Sequence, residues 1–302
     1  MKMTFRSFAA LCLLLAWHVS ALAALNIFAT LPEWASLAQE IGGDKVKVFA
    51  ATQALQDPHH VEARPSLIAR ARNADLVVAG GADLEVGWLP VILRESGNSR
   101  IQLGSPGYFE AASQVQMLEI PGRLDRADGD VHAQGNPHVH ADPRNILKVG
   151  EALTKRMVEL APADAAAFQA NWRSFSDKWR TALTRWEKSL ASLKGQPVVV
   201  QHKNFTYLVA WLGLKEVATL EPKPGVEPSA AYLGKLVSQS ASQKPRLVMR
   251  ATYDNPRPAE WFGNEAKVPV VTLPYTVGGN DKTKDLYSLF DDTTDRLLNA
   301  LK

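Results

Sequence analysis

Cysteine is all but absent: the 302 residues include one, Cys12, inside an apolar run near the N-terminus. A single thiol builds no disulfide framework, so any metal held by the rest of the chain must be bound through nitrogen and oxygen. A large charge of one sign is also missing. The formal net charge is +3, with acids and bases well mixed, which speaks against a nucleic-acid or membrane surface. The N-terminal run is too short for a comfortable membrane span, and no second long apolar stretch follows it. The chain contains neither a GxxxxGK[ST] phosphate loop nor an HExxH segment. Histidine is scarce as well, seven in all, which makes its placement informative.

The N-terminus has the makings of a secretory signal. Lys2 and Arg6 give a basic start, Phe8 to Trp17 is almost wholly apolar, and Ala21-Leu22-Ala23 offers a small-x-small cleavage site, so residues 1–23 are expected to be removed on export. Cys12 lies within the apolar run rather than at its end, and lipid attachment through a processed cysteine is not expected. Cleavage would remove Lys2 and Arg6 and no acid, lowering the formal charge from +3 to +1. Roughly 280 remaining residues suit one large domain or two of medium size.

Strand and helix signals then alternate. Leu25 to Ala29, Val46 to Ala51 and Ala74 to Gly80 are short apolar runs. Between and after them are helical patterns opened by Pro32, by Pro65-Ser66 and by Leu84, the last running to Arg94. Such βαβ units imply a parallel sheet. Gly122 to Gly135 has no apolar periodicity and is expected to be an exposed loop. From Pro143 the pattern turns helical, first over Ile146 to Leu160. Phe168, Trp172, Phe175, Trp179, Leu183, Trp186, Leu190 and Leu193 then recur at spacings of three and four, one stripe on one long helix stopped by Gly195. That helix would run about 40 Å, its tryptophans serving packing. The βα rhythm resumes at Pro197 to Val200, Val217 to Leu220, Arg246 to Met249 and Val268 to Leu273, with helices over Phe205 to Leu214, from Ser229, and over Asp285 to Leu301. The expected fold is α/β: two parallel-sheet lobes, 24–142 and 196–302, joined by a helical linker over 143–195 that includes the long helix. No internal sequence repeat is evident.

Apart from His18, the histidines are His59, His60, His132, His138, His140 and His202. All fall in loops or at the carboxyl end of a predicted strand, where ligands bind in open α/β sheets. If the lobes face each other, His59 and His138 come from one and His202 from the other, with a ligand in the cleft between. Asp57-Pro58-His59 and Asn136-Pro137-His138 share a polar-Pro-His form in which proline fixes the backbone just before the imidazole. Three imidazoles and one carboxylate make a tetrahedral zinc set.

These segments resemble those of the cluster A-I metal-binding solute-binding proteins of bacterial zinc and manganese ABC importers. Asp57-Pro58-His59-His60-Val61-Glu62 matches a DPHxxE-type segment. Asn136 to Pro143 matches an NPHxWxDP-type segment, with His140 in place of the tryptophan. His202-Lys203-Asn204-Phe205-Thr206-Tyr207 matches HxxFxY, and Glu227-Pro228-Ser229 an EPS segment before a helix. The resemblance implies that His59, His138 and His202 are metal ligands. It further implies that the protein captures metal in the periplasm and passes it to a membrane permease and cytoplasmic ATPase, as a monomer and not as an enzyme. A periplasmic metallochaperone is a further conceivable partner.

The fourth ligand is where the sequence departs from the resemblance. Many members carry an aspartate before a proline at the end of the last strand; here the segment is Val271-Thr272-Leu273-Pro274-Tyr275. Glu221, ending a predicted strand in the lobe of His202, is the preferred substitute, with Asp281 or water as alternatives. His132 and His140 are candidate collectors of zinc at the mouth of the site, His60 a surface or outer residue, and Glu62 and Asp142 outer or helix-start residues. Three imidazoles favour Zn2+ as cargo, Mn2+ and Fe2+ remaining open. A metallochaperone or metal-dependent adhesin on the same fold, and a zinc hydrolase, are the alternative functions.

Overall fold

The computed structural model describes residues 24–123 and 129–301; the expected signal segment, 1–23 with Cys12, lies outside the described residues, as does part of the loop expected over 122–135. Two four-stranded sheets, each wholly parallel, form the framework. The first contains β1 (Leu25–Ala29), β2 (Val46–Ala50), β3 (Leu76–Ala79) and β4 (Tyr108–Glu110), in the order β2-β1-β3-β4. The second contains β5 (Pro197–Val200), β6 (Lys215–Thr219), β7 (Leu247–Ala251) and β8 (Val270–Leu273), in the order β6-β5-β7-β8. Strands such as Leu76-Val77-Val78-Ala79 are buried at every position, as expected where helices cover both faces of a parallel sheet. The expected two-lobed α/β architecture is the one observed.

The two sheets have the same strand order, a repeat of topology that the sequence did not reveal. In each, the chain goes from the founding strand to one neighbour and then crosses to the other side. The crevice at such a switch point opens beyond the carboxyl ends of the strands. His202 stands two residues past the end of β5, at the switch point of the second sheet.

The helices of the first lobe are α1 (Pro32–Gly42), α2 (Pro65–Arg72) and α3 (Leu89–Ser96). The helix expected from Leu84 begins only at Leu89, with Pro90 in its first turn. The residues before it turn with Ala82 and Asp83 at positive φ. Buried Glu85 holds this turn: its carboxylate accepts hydrogen bonds from the Gly80 and Gly81 amides at 2.7 and 3.1 Å and from the Thr30 hydroxyl at 2.6 Å.

Next come α4 (Pro143–Leu160) and the long α5 (Ala165–Leu190), 26 residues. The expected stripe is the face α5 buries: Phe168, Phe175, Trp179, Trp186 and Leu190. Its tryptophans also brace neighbours. Trp179 Nε1 donates to the Pro143 carbonyl at 2.8 Å, and Trp186 Nε1 donates to Asp291 at 2.6 Å. The second lobe adds α6 (Thr206–Leu212), α7 (Ala230–Ser240), α8 (Pro256–Ala266) and α9 (Leu286–Ala300). The short strand β4 and the helix α8 had no counterpart in the sequence reading. In α8 two prolines fall in the first turn and mask a helix that Asn255 caps by accepting from the Arg257 amide at 3.2 Å.

Candidate metal centre

The three strand-end loops bring together His59, after β2, His138, after β4, and His202, after β5. Their ring centroids form a near-equilateral triangle with sides of 5.3, 5.5 and 5.7 Å. One nitrogen of each lies within 4.8 Å of the other two. His138 and His202 are buried, and the His59 side chain is only 6% exposed.

Each ring is oriented through Nδ1. Asp57 Oδ1 lies 2.8 Å from Nδ1 of His59 and also accepts from the His59 amide at 2.9 Å. The Tyr275 hydroxyl lies 2.7 Å from Nδ1 of His138, and Glu221 Oε2 lies 2.7 Å from Nδ1 of His202. With Nδ1 committed, Nε2 is the nitrogen each ring has left. Nε2 of His59 is buried without a hydrogen-bond partner, a costly arrangement unless something else satisfies it. Outer partners that fix the tautomer and aim the free nitrogen are what metal-ligating imidazoles ordinarily carry.

The polar residues around the histidines set their backbones. Pro58 offers its carbonyl to Trp88 Nε1 at 3.0 Å. Asn136 Oδ1 accepts from the His138 amide at 3.0 Å, while its Nδ2 donates to the Lys203 carbonyl at 2.7 Å and to Thr206 Oγ1 at 3.1 Å. Tyr207 donates its hydroxyl proton to the Asn136 carbonyl at 3.0 Å. Asn136 and Tyr207 thereby clamp the His138 segment to the residues following His202. Asp142 caps α4, accepting from the Arg144 amide at 2.9 Å, the helix-start role expected for it.

Electrostatics distinguish the rings. Burial, followed by the neighbouring His59 and His202 imidazoles, pushes His138 well below the ordinary histidine range. Burial pulls His202 the same way, but the hydrogen bond and charge of Glu221 outweigh it and raise the group. Burial works against ionisation of Asp57, yet the hydrogen bond and charge of His59 hold its carboxyl below the usual value.

The other expectations fare differently. Glu221, the preferred fourth ligand, stands outside the three-nitrogen cluster: its Oε2 faces His202 Nδ1 and also accepts from the Gly225 amide at 2.8 Å. A strand-end carboxylate behind an imidazole is drawn to the ring N–H, and Glu221 here stands behind His202. Asp281 is exposed, and Leu273 is fully buried at the end of β8. His60 is exposed, its Nε2 3.8 Å from Asp130. His132 stacks on His59, centroids 5.3 Å apart; burial, then His59, depress its pKa to about 4. His140 is no collector at the mouth. It is 2% exposed, with Nδ1 3.2 Å from Glu33 Oε1 and Nε2 donating to the Tyr275 carbonyl at 3.0 Å. Tyr275 and Glu33 gave no signal in the sequence, because their roles depend on α1 and the end of β8 meeting across the lobes.

This arrangement can be set beside known proteins. Residues 27–300 match the family described as zinc-uptake complex component A, periplasmic. The chain belongs to that family. Among curated relatives of the zinc-uptake component, the zinc-binding lipoprotein AdcA of Streptococcus pneumoniae is 26% identical over 224 residues, covering 73% of this chain and 44% of AdcA. The chain thus spans less than half of that relative's length. Among solved structures, a crystal structure of ZnuA superposes with a TM-score of 0.76 at 21% identity, covering 92% of this chain and 100% of the other. FpvC from Pseudomonas aeruginosa in complex with Mn2+ gives 0.78 at 23% identity, covering 92% and 98%. These superpositions establish the zinc-uptake component's two-lobed fold. Among the described residues no helix is long and apolar enough to cross a membrane.

Proposed function

We propose that the chain is a periplasmic solute-binding protein that captures a divalent metal ion, zinc foremost, at His59, His138 and His202, and delivers it to the permease and ATPase of an ABC importer. The observation that carries this reading is the convergence of three buried imidazole nitrogens within 4.8 Å, each ring held through Nδ1 and one Nε2 left without a partner. Nitrogen-rich donor sets favour zinc, whereas manganese usually draws more oxygen ligands. Export by a cleaved segment over 1–23 accords with the family's periplasmic description. The lobes are taken as 24–142 and 196–302, with 143–195 linking them; the ion is held where they meet, so lobe separation would expose it.

The ion is cargo, and binding is the chemistry. Each ring delivers a neutral nitrogen, and the groups on Nδ1 keep that nitrogen aimed inward. Competitive zinc titration of the wild type and of His59→Ala, His138→Ala and His202→Ala tests the assignment. Tight one-to-one binding lost in all three variants is expected; undiminished binding in any of them removes that residue from the site.

A further inference from the structure

Three imidazoles leave a tetrahedral ion one vertex short, and the obvious carboxylates are engaged elsewhere. Asp57 and Glu221 face the Nδ1 atoms of His59 and His202, Leu273 fills the strand end where an acid was sought, and Asp281 is exposed. We infer that His132 supplies the fourth ligand, giving an all-imidazole site. The inference rests on reading His59, His138 and His202 as the metal site.

Its ring lies against His59, stacked at 5.3 Å with the planes 29° apart, and outside the three nitrogens that fall within 4.8 Å of one another. A cavity of about 210 Å³ opens beside it, lined by His132, His138, His202 and Asp130, so the ring has room to turn. The backbone carrying it is pinned on both sides. The Asp130 amide donates to the Pro224 carbonyl at 2.9 Å in the second lobe, and the His132 carbonyl accepts from the Gly135 amide at 3.1 Å. Gly135, at φ 106°, leads directly into Asn136-Pro137-His138. Approach fixes Gly129 also: a Cβ there would stand 2.1 Å from the Pro224 carbonyl oxygen. With the main chain held, rotation about the side-chain bonds of His132 is the motion needed to change it from stacking partner to ligand. The segment joins the first lobe's chain to the 223–225 loop of the second, so the same ligand closes the mouth over the ion.

The test is a crystal structure of the zinc-bound full chain together with zinc titration of His132→Ala, with Asp130→Asn as comparison. A His132 nitrogen at about 2.0–2.1 Å from zinc is expected. His132→Ala should bind zinc at least roughly ten- to a hundredfold more weakly, no less than the loss of an outer partner costs. X-ray absorption should count four imidazoles in the wild type and three with one oxygen in the variant. Water, Asp130 or another carboxylate in the fourth position, or unchanged affinity and imidazole count in His132→Ala, overturns the inference. If His202→Ala also leaves binding intact, the metal-site reading itself has failed; if it abolishes binding while His132→Ala does not, only the fourth ligand has.

Discussion

Two buried histidines two residues apart, His138 and His140, do opposite things. His138 has one nitrogen on the Tyr275 hydroxyl and the other left over beside two imidazoles similarly placed. His140 is shut in by protein instead, Nε2 donating to the Tyr275 carbonyl and Nδ1 3.2 Å from Glu33 Oε1. Glu33 also accepts a short hydrogen bond from Thr276. Glu33 comes from α1, Tyr275 and Thr276 from beyond β8, so this second cluster fastens the lobes together. The lesson concerns convergence: His140 is closed in among groups of both lobes, while His59, His138 and His202 each turn one nitrogen toward the other two, all within 4.8 Å. Tyr275 belongs to both, holding His138 with its hydroxyl and His140 with its carbonyl.

The contrast breaks most sharply at the ligands. His202→Ala should weaken zinc binding by about a thousandfold or more, roughly 4 kcal/mol, with the melting temperature of the metal-free protein little changed; titration and calorimetry on one sample would show it. Glu33→Ala should do the reverse. Removing one partner of a buried pair costs on the order of 3–4 kcal/mol of stability, read by denaturant unfolding, while the cluster's three nitrogens remain. If Glu33→Ala instead abolished binding and left stability intact, the two clusters would be one site.

Smaller effects sharpen the comparison. Asp57→Asn, Glu221→Gln and Tyr275→Phe each keep the ligands and disturb what orients them, so zinc affinity should fall about 10- to 100-fold. Glu221→Gln serves a second purpose: a loss as large as that of His202→Ala would restore Glu221 to the ligand set. The least effect is on pH. His202 is raised by Glu221, so the metal-free site holds its proton more tightly than an ordinary histidine, and zinc must displace it. Affinity should therefore rise with pH through that group's range, which lies above the ordinary histidine value, and weaken as pH falls through it. His138, pushed down by burial, adds nothing to the slope near neutrality. Proton release on zinc binding, measured at mildly acidic pH in buffers of different ionisation enthalpy, should be smaller in Glu221→Gln than in the wild type.

Much of this was legible before any coordinates. The alternation of apolar runs with helical stripes defines the two parallel sheets, because strand and helix periods are written locally. The stripe from Phe168 to Leu190 defines α5 for the same reason. Proline before His59 and before His138 marked both as positioned residues. The first turn of α8 was not legible, since prolines that begin a helix read as breaks, nor was the turn at Ala82-Asp83, which depends on the distant Thr30 hydroxyl and on Glu85.

By itself the sequence determined the α/β lobes, the long helix and the placing of histidines in the loops at strand ends, all properties of short segments and of residue type. Only the tertiary structure decided which partner each histidine meets. It turned Glu221 onto His202, sealed His140 against Glu33, laid His132 on His59 and brought Tyr275 to His138. Those outcomes depend on contacts between residues up to 137 positions apart, set by how two sheets of equal topology face each other, and no local pattern encodes them.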